Sequence, residues 1–94
     1  MTHSLKKMPY AQACVRNYTD IGVDKIVMQS YETDVIIWEG NRLYCTGLYS
    51  MTTRKHISAF LWEYLPGISF NMVKSIAGKK QYINTDTGEF YKAE

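Results

Sequence analysis

The sequence predicts an α+β fold: a small antiparallel sheet of hairpins with one main amphipathic helix packed across it. Three observations carry that prediction. Residues 32–49, ETDVIIWEGNRLYCTGLY, place strand formers on both sides of a Gly-Asn turn. Residues 49–67, YSMTTRKHISAFLWEYLPG, set apolar side chains at helical spacing between a start signal and a stop signal. Residues 81–93, QYINTDTGEFYKA, repeat the strand–turn–strand pattern around NTDTG.

Taken in order, residues 1–9 are polar and end at Pro9, which suits a partly ordered lead-in to a single domain over 1–94. YAQACVRNY (10–18) fits a short strand or an irregular segment. TDIGVDKIVMQS (19–30) is expected to be helical: Thr19 can cap, Asp20 suits the first turn, and Val23, Ile26 and Val27 recur at helical spacing. Gly22 weakens that helix by about 1 kcal/mol relative to Ala, and a strand at KIVMQ competes with it. In the first hairpin, Val35, Ile36, Ile37 and Trp38 are strong strand formers, and Gly47 marks a bulge or a close backbone approach. The main helix is expected over 53–65. Ser50 or Thr52 can cap it, Ile57, Phe60, Leu61, Tyr64 and Leu65 form its apolar face, and Pro66-Gly67 stops it. ISFNMVKSIAGKK (68–80) reads as a second short helix, with Phe70, Val73 and Ala77 on one face and Gly78 at the C-cap. Alternation of Ile68, Phe70 and Met72 makes a strand its rival.

Size and composition bound the function. Ninety-four residues make one domain, and 46% hydrophobic content supports one core. A net charge of +2, from 11 Lys and Arg against 9 Asp and Glu, is a weak bias. It argues against a dedicated nucleic-acid binder and excludes an acidic DNA mimic. Cys14 and Cys45 belong to no CxxC pair, and His3 and His56 are not spaced for zinc, so no metal or cofactor is expected. The two cysteines are expected as reduced, buried thiols, with a disulfide between them left open. No 18-residue apolar run and no signal-peptide pattern occur, so a cytoplasmic chain with no membrane association is expected.

The helix carries the most informative surface. At about 100° per residue, Met51, Lys55, Ser58 and Trp62 fall away from Ile57, Leu61 and Leu65. Trp62 is then either an exposed anchor beside Lys55 or packed beneath the N-terminal segment or the C-terminal hairpin. Arg54, Lys55 and His56 crowd a helix start that is already electropositive. They suit an acidic patch or a phosphate; the ordinary alternative is solvated charge, with Arg54 and Lys55 paired to Glu63 or a sheet carboxylate. Lys74, Lys79 and Lys80, near Tyr82 and Tyr91, form a second basic group that could follow a nucleic-acid backbone or guard a sheet edge. Catalysis has little support. A thiol–imidazole pair of His56 with Cys45 or Cys14 lacks any surrounding signature, and Asp34 and Glu39 suggest no cleft.

Residues 30–64 contain Ser30, Tyr31 and Thr33, a hairpin, then Tyr49, Ser50, Thr52, Thr53, His56 and Ile57 leading into a helix. This pattern, Ser-Tyr-x-Thr followed by Tyr-Ser-x-Thr-Thr-x-x-His-Ile, resembles a small uncharacterised domain carried by phages and other mobile elements of Gram-positive bacteria. The resemblance implies a phage-type accessory protein, acting in the host cytoplasm, and brings no mechanism with it. By analogy of context, the expected function is non-enzymatic inhibition of a host defence complex, in the manner of anti-CRISPR proteins. The partner would be a host protein or ribonucleoprotein, held by Met51, Arg54, Lys55, His56 and Trp62. The alternative is a small nucleic-acid-binding regulator that contacts phosphates through the cations at the helix start and through Lys74, Lys79 and Lys80. A structural component that self-associates through sheet edges is a third option, and the oligomeric state stays open.

Overall fold

Among the described residues, seven strands follow one another across a single sheet in the order in which they occur in the chain, each antiparallel to the last. The computed structural model describes residues 2–5 and 12–93. The strands are β1 (Thr2–His3), β2 (Ala13–Asn17), β3 (Lys25–Ser30), β4 (Thr33–Glu39), β5 (Arg42–Cys45), β6 (Gln81–Asn84) and β7 (Phe90–Lys92). Helix α1 (Met51–Tyr64) and helix α2 (Phe70–Ile76) are inserted between β5 and β6. The fold is α+β, as the hairpins and the amphipathic helix imply.

Alternation assigns the two faces of the sheet. Val15, Met28, Ile36 and Cys45 are register partners across β2 to β5, and Leu43 pairs with Ile83. All of them are buried on the face covered by the helices. Ile57, Phe60 and Leu61 of α1 and Val73 and Ile76 of α2 close the core from above. The register shifts between Met28 and Gln29, which pair with Ile36 and Asp34, so Val35 is the extra residue of a bulge. Both Val35 and Ile36 therefore reach the core, and both are fully buried.

The expected helix over 19–30 does not form. Thr19–Ile21 makes a single 3-10 turn, the Asn17 side chain accepts from the Thr19 N–H at 2.9 Å, and Gly22, at φ 82°, ends it. The rest becomes β3. Ile26 and Val27 fit either period, but a strand here hydrogen-bonds to neighbours on both sides, which an isolated helix could not match. The segment 10–18 resolves in favour of a strand, β2, over its described part. Of the expected lead-in over 1–9, residues 1 and 6–9 lie outside the described residues. Thr2 and His3 pair with β2, and Leu5 is fully buried in the core.

Both cysteines are free. Cys14 points to the outer face of β2 and Cys45 to the core face of β5. Three interstrand spacings, about 14 Å, separate those strands, which is beyond the reach of a disulfide.

Candidate functional site

Helix α1 starts where its first capping residue allows. Ser50 sits in extended backbone, and its hydroxyl accepts from the Thr53 N–H at 3.2 Å. The helix ends at Pro66-Gly67 with the Leu65 N–H bonded to the Leu61 carbonyl at 2.8 Å. Ser69 then caps α2, accepting from the Met72 N–H at 3.3 Å. This tight connection brings Phe70, the first residue of α2, beside α1.

The side of α1 turned from the sheet is open. Met51 is 68% exposed and Trp62 55%. With Lys55 and Ser58 they line a groove of about 650 Å³. Arg54 and Ala59 add to its lining, and Phe70 completes it from α2. Trp62 and Phe70 also border a smaller hollow that reaches Pro66 and Ile68. The indole therefore stands as a ridge between two concavities, and neither the N-terminal strand nor the C-terminal hairpin covers it.

Among the described residues Arg54 and Lys55 form no ion pair. The Tyr64 hydroxyl pKa is pushed up, by burial first and by the neighbouring Glu63 second. The first turn of α1 carries no acidic residue, so these charges face the positive end of their own helix uncompensated.

His56 departs from expectation. It is fully buried and does not belong to the rim of the groove. Its position along α1 groups it with Thr53, Ile57 and Phe60, one helical turn in either direction, and that stripe faces the sheet. The His56 Nδ1 lies 2.8 Å from the Ser30 Oγ, which lies 3.1 Å from the Thr53 Oγ1, which lies 3.2 Å from the Ser50 Oγ. The ring of Tyr31 packs 5.9 Å from the imidazole. The His56 Nε2 is buried and has no hydrogen-bond partner among the described residues. Burial holds the imidazole below its ordinary pKa. Cys45, considered from the sequence as a thiol partner for His56, donates its Sγ–H to the Gly47 carbonyl at 3.5 Å, and burial pushes its thiol pKa up.

This hydrogen-bonded chain explains most of the pattern singled out in the sequence. Ser30 and Tyr31 at the end of β3 meet Ser50, Thr53 and His56 at the start of α1. They clamp the helix to the sheet. Tyr31 and Tyr49 adopt left-handed backbone, at φ 56° and 51°. The Tyr49 ring lies against Gly47, where a Cβ would come within 3.1 Å of it, and its hydroxyl donates to the Thr46 Oγ1 at 2.9 Å. Gly47 is thus a close-approach position.

A family of unknown function, DUF8033, matches the sequence over residues 2–66. The chain belongs to DUF8033. The match runs from β1 through the end of α1, and so takes in the buried hydrogen-bonded chain and the Met51, Arg54, Lys55 and Trp62 side of the groove. Phe70, α2, β6 and β7 lie beyond the part matched to DUF8033. No curated protein and no solved structure matches the chain.

The second basic group is exposed. Lys74 occupies the last turn of α2, where it complements the helix dipole, and Lys79 and Lys80 lead into β6. On the outer sheet face, Tyr82 stacks on Tyr91 with ring centres 5.5 Å apart and tilts against Tyr44 at 5.6 Å. The Arg42 guanidinium covers Tyr82 at 4.9 Å. Sequence reasoning missed Arg42 and Tyr44, although simple alternation along β5 sets them opposite Leu43 and Cys45. Among the described residues no group of three or more His, Cys, Asp or Glu converges on a metal position, and no helix is long and apolar enough to cross a membrane.

Proposed function

We propose that this chain is a non-enzymatic protein-binding module of phage or mobile-element origin that inhibits a host defence complex by docking through the α1 groove. The observation that carries the docking surface is the exposed Met51 and Trp62 toward the two ends of the groove, with Arg54 and Lys55, which form no ion pair among the described residues, in the same lining. A large aromatic standing proud of a concave surface, flanked by cations, has the make-up of a binding hot spot. Lys55 and Arg54 would set orientation and association rate, and the desolvated indole would hold the complex. The phage connection rests on the resemblance of residues 30–64, and the anti-defence role on the analogy that follows from it.

The test is phage plating on host strains that carry a CRISPR nuclease, with the chain expressed in the cell. Wild type should restore plaques, and a folded Trp62→Ala variant should not. Equal protection by both proteins would discard this surface, and no protection by either would discard the anti-CRISPR role.

A second reading, nucleic-acid binding, is favoured by Lys79 and Lys80 beside the stacked Tyr82 and Tyr91. It requires DNA or RNA retention that falls steeply with salt, by a slope set by the number of phosphates neutralised. A gel shift with no retention at low salt would remove it.

A further inference from the structure

We infer that the occupant of the α1 groove is a single amphipathic helix that carries carboxylates beside its apolar anchors. This rests on the docking reading above and names the chemistry of the partner. The groove runs along α1 from Met51 to Trp62, which at 1.5 Å per residue is about 16 Å, or three helical turns. The small side chains of Ser58 and Ala59 line it between the large ones of Met51 and Trp62, and Phe70 joins them from α2. Small side chains between large ones on a helix face admit the side-chain ridge of a second helix at close range. The groove is bounded by helix side chains and offers no open backbone edge, so strand addition has nothing to pair with.

Charge selects among helices. The lining holds two cations, Arg54 and Lys55, and no carboxylate. Both cations lie toward the N-terminal half of α1, while the Trp62 and Phe70 end is apolar. A nucleic-acid strand would need cations along the whole track. A second copy of this face would bring more cations and no acid. A helix with Asp or Glu at one end of an apolar stripe satisfies both halves of the groove. It also supplies the negative charge that the first turn of α1 lacks.

The experiment is a selection on the intact chain from two displayed libraries, one of three-turn helices with a randomised face and one of linear peptides. Trp62→Ala serves as the counter-target. Enriched sequences should be helical, with large apolar residues at i, i+3 or i+4, and i+7 and with Asp or Glu adjacent. A synthetic peptide of that consensus should bind wild type and lose at least tenfold against Arg54→Glu/Lys55→Glu. Ser58→Phe, which fills the groove at an exposed position, should abolish binding while near-UV circular dichroism stays native. Ligands that require Trp62 but are basic or extended would overturn the acidic helix and leave the docking surface standing. So would binding that survives the double charge reversal. No enrichment over the counter-target would overturn both. A concentration-dependent dimer abolished by Trp62→Ala would make a second copy the occupant and overturn the acidic helix.

Discussion

His56 sits at the centre of a buried polar side-chain cluster with Ser30 and Thr53. A buried imidazole with one ring nitrogen bonded to Ser30 and the other without a partner among the described residues is stable only while neutral. The folded state therefore holds its pKa below the unfolded value of about 6.5, so the unfolded chain binds more protons as acid is added. The stabilising contribution is complete above pH ~6.5 and is lost as pH falls through the lowered folded pKa. The urea midpoint should thus drop on going below that pH in wild type, and the drop should shrink in His56→Gln. An equal drop in both proteins would assign the acid sensitivity elsewhere. Ser30→Ala strands the imidazole completely and should cost about 1–3 kcal/mol in urea titrations. Thr52→Ala, one position from the network but exposed, should stay within about 0.5 kcal/mol.

Helix α1 divides its surface by task, with polar and apolar residues clamped to the sheet on one side and an open groove on the other. Ser50→Ala should lower stability by about 1 kcal/mol, because the Thr53 amide loses its acceptor and the buried chain of hydroxyls loses its outer member. Trp62→Ala should leave the urea midpoint nearly unchanged and still weaken partner binding by more than about 2 kcal/mol. Stability and binding measured on the same two variants would separate the two sides. Much of α1 was legible beforehand because its signals are local: a serine cap, a stripe at helical spacing and a Pro-Gly stop. Even so, His56 was misplaced. Its neighbours in sequence, Arg54 and Lys55, suggested a shared surface, whereas the helical angle turns it toward Ser30. The segment that became β3 was misread for a different reason. Spacing of Val23, Ile26 and Val27 satisfies a helix locally, and only pairing with β2 and β4, contributed by remote residues, decides for a strand. The register shift at Val35 was likewise invisible, since two consecutive apolar residues reaching one core break simple alternation.

Across the whole molecule, the family match ends at residue 66, but the core does not. Val73, Ile76 and Ile83 come from beyond it and are fully buried against residues within it. Gly78 also donates its N–H to the Cys45 carbonyl at 3.1 Å, which ties the later segment to β5. A version cut after residue 66 would expose Leu43 and one side of Ile57 and Phe60. It should lose its cooperative thermal transition and its near-UV dichroism. A sharp transition in that shorter chain would mean that the first five strands and α1 suffice. The wandering order of the strands has one more effect. Because each lies beside its predecessor, the first five strands can be laid down hairpin by hairpin as the chain leaves the ribosome. Pairing of β6 with β5 instead waits for both helices to be made, since they lie between those strands, and refolding from denaturant should be limited by that closure.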